Sequence, residues 1–131
     1  PRQDPSSPYS GVISIFADKL NQGAAPTIFG DGEQTRDFVY VSDVVEANMQ
    51  AVTLEEPEGQ VINIATCNKI TLNQLLKTIC EIKQVEFSAE YEYPRQGDIK
   101  ESYANVSKAA ALLNWSSTIE LNEGLRSLVD A

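Results

Sequence analysis

Residues 71–83, TLNQLLKTICEIK, place Leu72, Leu75, Leu76, Ile79 and Ile82 on one stripe of a helix, behind Thr71 and Gln74 at the spacing of a capping box. Such a stripe is stable only against a second apolar surface, so it dictates a layered fold around a core. The flanking segments supply that surface by alternating between two periods. GVISIFADKLNQG has Val12, Ile13, Phe16 and Leu20 at helical spacing and stops at Gly23. PTIF reads as a short strand and GDG as a turn. RDFVYV reads as a strand apolar on both faces and therefore buried, and SDVVEANMQAV as a helix capped by Ser42. QVINIA is a further strand. VEFSAEYEY alternates strictly, with Phe87, Ala89, Tyr91 and Tyr93 on one face and Glu86, Ser88, Glu90 and Glu92 on the other, as in a half-exposed strand. NVSKAAALLNW and LNEGLRSLVDA read as closing helices. The expected fold class is α/β, with small mixed sheet elements and helices packed on them.

Length and charge narrow the possible functions. The chain has 131 residues and fits one domain with one core. Ten Lys and Arg against nineteen Asp and Glu give a net charge of −9, with no basic cluster, which argues against nucleic acid or an anionic membrane as a partner. Its apolar runs are too short to span a bilayer and it opens on no secretory leader, so a soluble, cytoplasmic protein is expected. Cys67 and Cys80 have no CxxC spacing and the chain has no histidine to complete a zinc site, so two buried, reduced thiols are expected. Without histidine a Ser-His-Asp or Cys-His arrangement is also excluded.

Of the seven glycines only Gly30 and Gly32 form a GxG, and no third glycine follows, so GDG is a turn rather than a dinucleotide fingerprint. Its Asp31, Gly32 and Glu33 lack the alternate acidic positions of an EF-hand loop.

The residues that stand out are arginines. Only Arg2, Arg36, Arg95 and Arg126 are present, and Arg36 in QTRD and Arg95 in PRQGD sit beside loop signals with an aspartate nearby. A guanidinium stays charged and offers a planar fork of donors that matches phosphate, so two convergent arginines could clamp a diphosphate while Asp98 accepts from a ribose hydroxyl. The competing reading is structural: Arg36 pairs with Asp37 or Asp43, and Arg95 with a surface glutamate.

PRQDP, VISIFADKLNQG, IFGDGEQTRDFVYVSDVVEA, INIAT, PRQGDIKES, SKAAALLNW and EGL occur in this order along essentially the whole chain. The series resembles the C-terminal part of NAD-dependent nucleoside-diphosphate-sugar epimerases, which are extended short-chain dehydrogenase/reductase proteins of Rossmann type. The nearest resemblance is to the UDP-glucose or UDP-N-acetylglucosamine 4-epimerase group. It implies that Arg36 and Arg95 contact the substrate diphosphate, that Asp98 binds the ribose, that Val12 and the strand Thr27, Ile28 and Phe29 line the uracil pocket, and that Phe38 lies near the nucleotide. It also implies that Asp43 supports a strand-to-helix turn. Asn105 and Asn114 depart from the aspartate and glycine frequent at those positions.

In such enzymes a Tyr-x-x-x-Lys pair does the acid–base chemistry. Here the fourth residue after each tyrosine is Ile13, Val44, Arg95, Gly97 or Ser107, never lysine. The chain also opens on PRQDP without a methionine. The expectation is therefore a catalytically incomplete fragment whose cofactor domain is absent. It would bind a UDP-sugar and retain no cofactor or metal itself, while the parent, a homodimer, holds NAD and passes a hydride from the sugar C4 and back. A sibling nucleotide-sugar dehydratase or decarboxylase, or a non-catalytic interaction domain, is the alternative.

Overall fold

A computed structural model of the chain describes residues 4, 7, 10–54 and 59–129. The elements run α1 (Val12–Asn21), β1 (Thr27–Phe29), β2 (Thr35–Arg36), α2 (Val41–Val52), β3 (Ile70–Thr71), α3 (Leu72–Lys83), β4 (Glu90–Glu92), α4 (Ser107–Leu113) and α5 (Leu121–Val129). Helix α3 is the hub. Thr71 accepts from the Gln74 N–H while the Gln74 side chain accepts from the Thr71 N–H, completing the reciprocal cap. The stripe behind it is buried as the periodicity requires: Leu75, Leu76 and Ile79 are fully enclosed with Phe16 of α1, Ile28 of β1, and Leu125 and Val129 of α5. Burying each such side chain contributes about 1.5–3 kcal/mol. A second cluster joins α2 and α4 through Ala47, Ala109, Leu113 and Trp115.

The sheets are smaller than the sequence suggests. β1 pairs in parallel with β4, Ile28 opposite Tyr91, and β2 pairs antiparallel with β3, Arg36 opposite Ile70. A further parallel bridge sets Thr35 against Glu101, with the Thr35 N–H donating to Lys100 at 2.8 Å and its carbonyl accepting from Ser102 at 3.1 Å. That bridge brings the loop at residues 95–100 onto β2.

Several expectations need correction. RDFVYV is a strand only at Arg36: in the antiparallel register Asp37 would face Lys69, before β3 begins, and the Asp37 carboxylate is taken by the Thr66 and Cys67 N–H groups instead. QVINIA forms no strand: among the described residues no neighbour offers it a ladder, and Val61 is left 83% exposed. In VEFSAEYEY only Glu90–Glu92 is a strand. Its inward face is Ala89 alone, since Phe87, Tyr91 and Tyr93 are exposed. Helix α2 starts two residues earlier than a Ser42 cap implies, at Val41 behind an extended Tyr40 with no side-chain cap, so Ser42 falls inside the first turn. Of the thiols, Cys80 is buried but Cys67 is exposed, and both are free. Burial pushes the Cys80 thiol above its ordinary value; the charge of Glu81 adds to this, and a hydrogen bond from the Ser88 backbone opposes it.

Asn114 ends α4 in the left-handed region, φ 50°, which accounts for an asparagine at a position suited to glycine. Asp43 does not brace a strand-to-helix turn. Buried in α2, it accepts from the Thr118 hydroxyl at 2.7 Å and from the Thr118 and Ile119 N–H groups at 3.1 Å each, while its carbonyl accepts from Trp115 Nε1 at 2.9 Å. Burial alone would raise its pKa, but the Thr118 hydroxyl and the two N–H groups outweigh that and hold it below the ordinary carboxylate value. A lowered folded-state pKa contributes stability that is present at neutral pH and lost as pH falls through the carboxylate range. Asp43→Asn should cost about 1–3 kcal/mol at pH 7, with the gap to wild type closing in acid. Urea unfolding at several pH values checks this; a gap that does not change with pH contradicts it.

Candidate functional site

β1 ends at Phe29 and the chain reverses through Gly30, Asp31 and Gly32. Gly30 and Gly32 lie at φ 85° and 75°, conformations glycine adopts without strain. Asn73, in the first turn of α3, clamps this turn. Its Nδ2 donates to the Asp31 carbonyl at 2.9 Å and to Glu33 Oε1 at 2.7 Å, its N–H donates to the Gly32 carbonyl at 3.1 Å, and its Oδ1 accepts from the Tyr91 hydroxyl at 2.9 Å. A Cβ on Gly32 would overlap the Asn73 amide.

Beyond the turn, Arg36 reaches the 95–100 loop. Its Nη2 meets Asp98 Oδ1 at 2.7 Å, and its Nη1 donates to the Thr35 carbonyl at 2.8 Å and the Ile99 carbonyl at 2.6 Å. The expected structural partners of Arg36 are occupied elsewhere. Asp37 takes the Thr66 hydroxyl and the N–H groups of Thr66 and Cys67, and Asp43 takes Thr118 and Ile119. A guanidinium has five N–H donors, so three bonds within the chain leave two for a ligand. Arg95 forms no ion pair among the described residues. Its guanidinium lies over the Phe29 ring, 3.8 Å from the centroid, rather than beside a surface glutamate.

Two cavities adjoin here, of about 980 and 560 Å³. Both are bounded by Phe29, Gln34, Arg95 and Asp98, which form a common wall. Volumes of this order suit a small organic ligand. Val12, Thr27 and Ile28 line the smaller cavity, and Tyr91 and Lys100 the larger. The sequence-derived residues therefore fall into three groups. Val12, Thr27, Ile28, Phe29, Arg95 and Asp98 are brought together at the cavities, and Arg36 is tied to them through Asp98. Phe38 is not brought there: it packs against the core and opens instead onto clefts beside α5, with Ile119, Glu120 and Leu121.

Sequence reasoning missed Gln34. It is 7% exposed and sits in the shared wall, yet nothing in its chemistry distinguishes a buried glutamine from a solvated one in EQTRD. Lys100 was equally hidden. A cation three residues from an exposed-looking Gly97 carries no signal until the loop is folded.

The GDP-mannose 4,6 dehydratase family model matches residues 1–128, and the chain belongs to that family. It is 35% identical over 130 residues to the UDP-glucose 4-epimerase of Mycolicibacterium smegmatis, covering 99% of this chain and 41% of that protein. The crystal structure of UDP-glucose 4-epimerase with UDP-glucose from Thermotoga maritima superposes with a TM-score of 0.90 at 42% identity, over 99% of this chain and 41% of the other. The UDP-glucuronic acid 4-epimerase of Bacillus cereus, in complex with UDP-glucuronic acid and NAD, superposes at 0.89 with 29% identity, covering 99% and 40%. The chain thus spans about two fifths of the length of these proteins.

Gly32→Ala should destabilise the turn twice over, by the left-handed backbone and by displacing Asn73, for a total of about 2–4 kcal/mol. Denaturant melts of Gly32→Ala against a Gly97→Ala control, which has φ 83° but open space at its Cβ, separate the two contributions. Equal losses in both variants would contradict the clamp.

Proposed function

We propose that this chain is the substrate-binding portion of an NAD-dependent nucleotide-sugar 4-epimerase, that its ligand is a UDP-sugar, and that the chain alone is catalytically incomplete. The observation that carries this reading is the wall. Phe29, Arg95 and Asp98 share one wall and Arg36 is bound to Asp98, which supports a reading in which an aromatic ring, guanidinium groups and a carboxylate meet a base, a diphosphate and a ribose diol.

Uracil packs against β1 and Val12 in this reading. Asp98 accepts from a ribose hydroxyl through the oxygen that Arg36 leaves less encumbered. Arg36 and Arg95 neutralise the diphosphate, with Arg95 leaving the Phe29 ring for the phosphate oxygens. The work of these residues is anchoring: a fixed nucleotide lets the sugar present either face to the reacting groups without dissociating.

The dinucleotide does not fit these residues. The one GxG is closed by the Asn73 amide, where a pyrophosphate would need open backbone, and no tyrosine is followed by a lysine four residues on. NAD is therefore held by chain outside these 131 residues. The surface left for that portion is marked by two features. Helix α2 exposes Val41, Val45, Met49 and Val52 at helical spacing, and the run at residues 61–65, whose Ile62 and Ile64 pack against the α2 and α4 cluster, belongs to no ladder.

Two expectations follow for the full-length enzyme. A charge-assisted hydrogen bond is worth about 1.5–3 kcal/mol and each 1.4 kcal/mol is tenfold in affinity, so Arg36→Ala should weaken UDP binding by about one to two orders of magnitude. Arg36→Lys should recover part of the loss, and Arg126→Ala should change little. Calorimetric titration of UDP reads all three; wild-type affinity in a folded Arg36→Ala enzyme would leave Arg36 a structural ion-pair partner. Hydrogen exchange tests the docking face: the Ile62 and Ile64 amides should exchange as slowly as those of α3. Rapid exchange at both would show that the run stays open.

A further inference from the structure

The buried amide of Gln34 stands where the base side and the ribose side of the wall meet. Its Nε2 donates to the Phe29 carbonyl at 2.7 Å and lies 3.4 Å from Asp98 Oδ2, a longer bond to the carboxylate oxygen that Arg36 does not take. Both partners are acceptors, so the amide has one chemically sensible orientation, with the nitrogen toward the wall. The Gln34 backbone is itself fixed, its carbonyl accepting from the Leu72 N–H at 3.2 Å where α3 begins. The side chain is thus held from the hub of the core and spans the two cavities.

The geometry points to Gln34 as a positioning residue that sets the Asp98 carboxylate against the end of β1, so that one amide fixes the distance between the base subsite and the diol subsite. This rests on the reading of Asp98 as the ribose partner. Asp98 lies on an exposed loop, and Arg36 holds only one of its oxygens; a single ion pair leaves the carboxylate free to rotate about that bond. A second donor from a buried, immobile side chain removes the rotation. The carboxylate then meets a ligand hydroxyl already oriented, and the ordering need not be made at the moment of binding. Glutamine suits the position because a neutral donor steers the carboxylate without competing with Arg36 for its charge.

The test compares UDP with 2′,3′-dideoxy-UDP, which lacks the diol, in the full-length enzyme by calorimetry at pH 7.5. Wild type should prefer UDP by about tenfold or more, the scale of one charge-assisted hydrogen bond. Gln34→Leu, similar in volume but without the donor, should bring the preference to within about twofold while leaving dideoxy-UDP affinity near wild type. Gln34→Glu, which keeps the shape and sets a second carboxylate beside Asp98, should abolish it as well. A purely structural role would weaken both ligands alike and leave the ratio untouched. Asp98→Ala separates the two claims. If it keeps the wild-type preference, the ribose assignment fails and this inference with it. If it loses the preference while a folded Gln34 variant retains it, the inference alone is overturned. Loss of the near-ultraviolet circular dichroism signal in both Gln34 variants would assign the residue to the core and equally overturn it.

Discussion

Arg36 and Asp98 are 62 residues apart in the chain and 2.7 Å apart in space, and the site exists because of that closure. The ion pair does not by itself hold the fold together. Its side chains are 26% and 33% exposed, and pairs so placed contribute about 1 kcal/mol or less. The closure is made by backbone: Thr35 bonds to Lys100 and Ser102 on one side while β2 pairs with β3 on the other. The pair then uses that closure, setting a fork of donors and a carboxylate on the same rim as the Phe29 ring. An interaction weak in stability can thus be decisive in geometry.

The rim is further supported from α3. Its stripe fills the core with Leu75, Leu76 and Ile79, its first turn holds the GDG reversal through Asn73, and the N–H of Leu72 fixes Gln34. Core and site are therefore two ends of one helix. A site built on a capped, buried helix terminus is held more rigidly than one on free loops, which suits an anchor.

The helices were legible in the sequence because their stripes are complete within themselves: Leu72 to Ile82 in α3 and Val12 to Leu20 in α1 need no distant partner to be recognised. The strands were not, for a physical reason. RDFVYV and QVINIA have strand composition, but a strand is a property of two segments, and each lacks the neighbour that would extend its ladder. VEFSAEYEY failed differently. Its alternation is real, yet β4 pairs with β1 at an edge where Tyr91 serves Asn73 and a cavity instead of a core. Of the site, Arg36, Arg95 and Asp98 could be named from charge chemistry in loops together with the family resemblance, while the partner of Arg36 could not. Local spacing offered Asp37 and Asp43, and both serve as backbone clasps. Phe38 lies two residues past Arg36 but beyond the end of β2, and its ring packs on the core and faces the clefts beside α5. Gln34 and Lys100 left no sequence signal, since only burial and loop closure give them a role.

In the proposed function, the wall formed by Phe29, Gln34, Arg95 and Asp98, with Arg36 behind it, is a nucleoside-diphosphate anchor. A crystal structure of the full-length enzyme with UDP tests it most directly. The prediction is a uracil against β1 and Val12, ribose hydroxyls on Asp98, and a diphosphate between Arg36 and Arg95, with Arg95 moved off the Phe29 ring. A diphosphate bound elsewhere, with Arg95 still stacked on Phe29, would contradict it.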